Sequence, residues 1–147
     1  MKINIVIDAS GSMAEDGKNA VVKYFLNGVI YSKIHMRSDQ EIQYNLYQWG
    51  SETVYIPSIE TAKISFAGKS DCRGLDELDR LLDKEHPLIL VSDGNFERKE
   101  INKLKGLSNN ILPIFVGCDA NKSTLLEIST NKVVYSIVDF MQAICDA

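Results

Sequence analysis

The chain has 147 residues, 45% of them hydrophobic, and carries 16 basic and 20 acidic side chains for a net charge of −4. That is one domain with material for a full core. Without a basic stripe or an apolar run of membrane-spanning length, neither a nucleic-acid surface nor a transmembrane helix is expected.

In chain order, residues 2–8 form an apolar, β-branched run in which Asn4 breaks the pattern, and they predict a buried parallel strand. The run ends in Asp8, and Ser10, Gly11 and Ser12 follow at once. One carboxylate and two hydroxyls within five residues are hard oxygen donors, suited to Mg²⁺, Mn²⁺ or Ca²⁺ rather than to a soft metal. Glu15 and Asp16 precede a helix predicted over 17–37, where acidic residues suit the positive end of the helix dipole. The apolar residues of that helix, from Val21 to Ile34, cover more than one face, so it should be largely buried. His35 reads as a residue of the helix end rather than a ligand.

Residues 42–49 and Thr53 to Ile56 predict a hairpin closed by Pro57, which fits a sheet edge. Trp49 and the tyrosines of this segment read as packing residues. Ile64 to Phe66 predict a short extended piece. Gly68-Lys69-Ser70-Asp71 then leads into a helix over 74–84 with leucines on one face. Residues 88–92 predict a second buried parallel strand, ended by Asp93-Gly94-Asn95. A helix over 97–107, a strand from Ile111 to Val116, a helix over 122–130, a short strand from Val133 to Tyr135 and a last helix from 137 complete the alternation. Ser136 and Asp139 have the spacing of a capping box. Cys72, Cys118 and Cys145 are odd in number and far apart, which predicts free thiols in a reducing compartment.

Asp8-x-Ser10-x-Ser12 after a first strand, Ser70 just before a helix, and Asp93-Gly94 after a buried strand together resemble the von Willebrand factor A (VWA) domain. That family binds a divalent ion at a metal-ion-dependent adhesion site (MIDAS). The resemblance runs the length of the chain. It departs from the family at Ser70, where the family has a threonine; the hydroxyl is kept and the methyl that restricts χ1 is lost. It implies a single domain over 1–147 with a three-layer α/β/α, Rossmann-like architecture. The implied sheet is mainly parallel and six-stranded, in the order 3-2-1-4-5-6, with one antiparallel edge strand. Strand order reverses beside the first strand, so Asp8 and Asp93 should flank the crevice at the switch point.

The resemblance also implies roles. Ser10, Ser12 and Ser70 would touch the ion, and Asp8 and Asp93 would act mostly through water. Gly11, Met13, Asn95 and Phe96 would form a rim around it. The ion would bridge to an Asp or Glu carboxylate of a partner protein. With the N-terminus entering the first strand at once, leaving no room for a signal peptide, the expectation is a cytoplasmic adaptor of a bacterial complex. Its partners would include AAA-type, MoxR-like ATPases. Two alternatives stand beside this. A haloacid-dehalogenase-like phosphatase would also place an Asp after its first strand, but it wants an acid at position 10, where a serine stands. A VWA scaffold that binds without metal is the other. An enzyme is not expected, because no His or Cys accompanies the serines as a base.

Overall fold

The structure, a computed structural model, describes residues 1–35 and 41–147. The last two residues of the predicted first helix, 36 and 37, lie outside that range. The elements are β1 (Lys2–Asp8), α1 (Lys18–His35), β2 (Gln43–Trp49), β3 (Thr53–Ile56), α2 (Cys72–Leu81), β4 (Leu88–Ser92), α3 (Arg98–Leu104), β5 (Ile111–Phe115), α4 (Lys122–Ile128) and α5 (Phe140–Asp146). Short 3-10 turns cover Gly11–Ala14 and Ile137–Asp139.

The sheet runs β3-β2-β1-β4-β5, parallel except for the β2–β3 hairpin. Period-two alternation sends β1 side chains to opposite faces. Ile3, Ile5 and Ile7 join Phe25, Val29 and Phe140 in one core, against α1 and α5. Val6 joins Leu75, Leu78, Leu90 and Leu104 in the other, against α2, α3 and α4. A parallel sheet buried on both faces gives the three layers expected from the alternating elements. Asn4, the polar exception in β1, is buried and accepts from Asn45 Nδ2 at 3.1 Å on the neighbouring strand. Trp49 is fully buried and its indole N–H donates to the Asp71 carbonyl at 2.9 Å, so it packs, as expected.

Among the described residues the sheet has five strands where the resemblance implied six. The expected sixth, Val133 to Tyr135, is reduced to a single parallel bridge between Ile114 and Tyr135. Two causes are visible. Pro113 in β5 has no N–H to offer, so that side of the ladder holds only Tyr135 N to Pro113 O and Phe115 N to Tyr135 O, both 2.9 Å. Just upstream, Lys132 has a positive φ and the amide of Val133 is tied to Ser129 Oγ and Asn131 Oδ1, which makes a turn where a strand would begin.

Other boundaries shift by a few residues. Ile64 to Phe66 run without strand pairing. The Ser136 hydroxyl bonds the Asp139 carboxylate but caps no backbone amide. The capping box lies instead at Glu97 and Glu100, at the start of α3. Among the described residues, no helix is long and apolar enough to cross a membrane.

Candidate metal centre

β1 lies between β2 and β4, and the loops that follow these strands emerge at one sheet edge where strand order reverses, the usual place for a ligand in an open α/β sheet. Asp8 closes β1 opposite Trp49 in register, and Asp93 follows β4 directly. Ser70 immediately precedes Asp71, whose side chain accepts from the Arg73 and Gly74 amides and caps α2. Backbone bonds join the loop after β1, the β2–β3 turn and the loop before α2. Gly11 N donates to Gly68 O at 2.9 Å, Ala67 N to Ala9 O at 3.0 Å, and Asp71 N to Gly50 O at 3.2 Å.

The side chains continue the stitching. Asp8 is 2% exposed and both of its oxygens are engaged. Oδ1 accepts from the Ser10 amide at 3.0 Å and from Ser70 Oγ at 2.7 Å; Oδ2 accepts from Ser92 Oγ at 2.6 Å. Burial pushes the Asp8 carboxyl above its ordinary range, and the hydroxyls of Ser92 and Ser70 and the Ser10 amide pull part of the way back. Asp93 is completely buried. Its Oδ2 accepts from Ser12 Oγ at 2.8 Å, and Ser10 Oγ lies 3.1 Å from Ser12 Oγ. The five residues singled out in the sequence, Asp8, Ser10, Ser12, Ser70 and Asp93, thus form one connected network.

The donor set suits a hard cation. Ser12 gives its hydrogen to Asp93, and Ser70 shares its own between Asp8 and the Trp49 carbonyl. A hydroxyl that donates to a carboxylate keeps a lone pair for an ion, and this holds for Ser12 even with Ser10 Oγ donating to it. The set is built from hydroxyls; among the described residues no group of three or more His, Cys, Asp or Glu side chains is placed to hold a metal.

The expected rim divides. Asn95 is exposed, Gly11 and Phe96 are half-buried, and the Phe96 ring packs against Trp49 at a tilt of 42°, with centroids 5.3 Å apart. Met13 is a correction: its side chain is fully buried in the core beside β1 and cannot meet a partner. The short 3-10 turn that starts at Gly11 rotates position 13 inward.

Ser92, Lys18 and Asp119 take part and were not singled out in the sequence. Ser92 fixes Asp8 from the β4 side. Lys18 is 1% exposed and donates to Asp93 Oδ2 at 3.2 Å and to Asp119 Oδ2 at 3.0 Å. Burial alone would lower its ammonium, but the bonds to Asp119 and Asp93 outweigh that and hold it above the ordinary lysine value. A lysine in the first turn of a helix opposes the helix dipole, and that misfit was the available signal. Ser92 was the one polar residue in an otherwise apolar strand.

No family model matches the sequence, and no curated protein matches it. Solved structures do. BatB from Bacteroides thetaiotaomicron superposes with a TM-score of 0.70 at 12% identity, over 99% of this chain and 98% of that one. Proximal thread matrix protein 1 of the mussel byssus, with a zinc-occupied MIDAS motif, gives 0.67 at 20% identity, over 99% of this chain and 44% of that one. A von Willebrand factor type A protein from Catenulispora acidiphila gives 0.60 at 14%, over 92% and 37%. The chain therefore has the three-layer fold of the VWA domain.

Proposed function

We propose that this protein is a metal-dependent protein-interaction module, with a divalent cation held by Ser10, Ser12 and Ser70 and with Asp8 and Asp93 behind them. The observation that carries this reading is the single network joining hydroxyls and carboxylates from three distant loops at the switch point. The similarity in fold to a protein with a zinc-occupied MIDAS supports a divalent ion. The hard oxygen donors favour Mg²⁺, or Mn²⁺ or Ca²⁺ in its place.

The chain's own residues do the following. Asp93 accepts the hydrogen of Ser12 and Asp8 that of Ser70, which orients those two hydroxyl oxygens, and the Ser10 hydroxyl faces Ser12 Oγ. Ser92 and the Ser10 amide hold Asp8 in place. Gly11, Asn95 and Phe96 shape the surface that a partner meets. A bound cation supplies a coordination position for an Asp or Glu carboxylate of the partner. Neutral hydroxyls quench the charge of an ion less than carboxylates would, which favours an anionic partner group.

The role follows as an adaptor in a bacterial assembly, cytoplasmic, with AAA-type, MoxR-like ATPases as the partner class the resemblance suggests. We place it outside the enzymes: position 10 carries a serine where a dehalogenase-like phosphatase needs an acid. Titration calorimetry of the chain with Mg²⁺ and Mn²⁺ tests the reading. Binding by the wild type that is lost in Asp8→Ala and Ser10→Ala is expected; binding unchanged in both variants overturns it.

A further inference from the structure

Lys18 does not belong to the ion-binding set, yet its ammonium is bonded into it. A buried ammonium is costly unless it is paired, and this one is paired twice. Its route inward is built. A Cβ on Gly117 would stand 2.5 Å from Lys18 Cε, and Gly117 has a φ of +89°. Only a residue without a side chain leaves room for the lysine stem there. The ammonium ends 3.2 Å from Asp93 Oδ2, the same oxygen that accepts from Ser12 Oγ at 2.8 Å. One carboxylate oxygen therefore serves both a hydroxyl of the ion site and a resident cation.

Charge decides the consequence. Asp8 and Asp93 bring two negative charges to the site, and Lys18 returns one positive charge to the more buried of the two. A divalent ion arriving beside Ser12 meets a carboxylate already half claimed, and it meets the ammonium's repulsion at short range in a poorly solvated place. Asp119, 52% exposed at the mouth, holds the other side of the ammonium and draws part of its charge away from Asp93.

We propose that Lys18 is an affinity-setting residue: a built-in counter-cation for Asp93 that weakens the hold of the serine site on a divalent ion. The proposal rests on the metal-binding reading above.

Calorimetric titration with Mn²⁺ compares wild type, Lys18→Met, Asp119→Asn and Lys69→Met, each checked for folding by circular dichroism in chelator. Lys18→Met keeps the stem and removes the charge, and it is expected to bind Mn²⁺ about tenfold more tightly than wild type. Lys69→Met removes the same charge from an exposed side chain and gives the size of an unspecific effect. Asp119→Asn removes the charge that shares the ammonium with Asp93 and is expected to bind more weakly. Lys18→Met binding no more tightly than Lys69→Met overturns the proposal while the metal reading stands. Should Lys18→Met not fold, Asp119→Asn decides: weaker binding supports the proposal, and unchanged or tighter binding overturns it. A silent wild type beside a binding Lys18→Met supports it. Silence in both overturns the metal reading, and the proposal falls with it.

Discussion

The hydroxyl of Ser70 lies 2.7 Å from Asp8 Oδ1 across 62 positions of sequence, and 2.8 Å from the Trp49 carbonyl. One serine thereby ties the loop before α2 to the ends of both β1 and β2. Ser70→Ala removes a charge-assisted bond from a buried carboxylate, and a loss of about 1–3 kcal/mol is expected in urea unfolding. Ser70→Thr keeps the hydroxyl and should stay within about 1 kcal/mol of wild type. Equal losses in the two variants would mean that the hydroxyl is not what holds this loop.

Asp8 gives a prediction with a sign. Its folded-state carboxyl titrates above the ordinary value because burial disfavours the charge. The folded chain therefore holds this proton longer than the unfolded chain does. The Asp8 contribution to stability is greatest below the unfolded value and falls as pH rises through the raised folded one. Asp8→Asn has no such ionisation. In chelator, its stability relative to wild type should grow between about pH 4 and about pH 7.5. Urea unfolding at the two pH values checks this, and a difference that shrinks with pH contradicts it.

Gly94 and Gly68 separate backbone strain from crowding. Both have positive φ, +78° and +70°. A Cβ at Gly94 would stand 2.6 Å from the Asn121 carbonyl oxygen, whereas at Gly68 it meets nothing within 4 Å. Asn121 cannot retreat easily, since its amide donates to the Asp93 carbonyl at 2.7 Å. Gly68→Ala should cost about 1–2 kcal/mol, the strain alone. Gly94→Ala should cost more, about 2–4 kcal/mol. Thermal and urea unfolding of the two variants will show whether that order holds.

What could be read from the residues alone follows from how local the cause is. β1, β4 and the β2–β3 hairpin were legible because β-branched and apolar runs end at turn residues. Asp8, Ser10, Ser12 and Asp93 were legible because each sits at the end of such a run. The missing sixth strand was not, since it depends on Pro113 of another element and on the Ser129–Asn131 turn. Met13 was misplaced because a 3-10 turn, invisible in composition, rotates it into the core. Lys18 escaped notice because its partners lie 75 and 101 positions away and the glycine that admits it is at 117.

In the proposed site an ion is held between the 10–12 bend, Ser70 and Asp93. Paramagnetic broadening of backbone amide resonances by substoichiometric Mn²⁺ tests this most directly. Broadening centred on residues 10–12, 70–71 and 93–95, abolished in Ser12→Ala, is the expected result. Broadening confined to exposed acidic positions such as Glu15 and Asp16, or unchanged in Ser12→Ala, would contradict it.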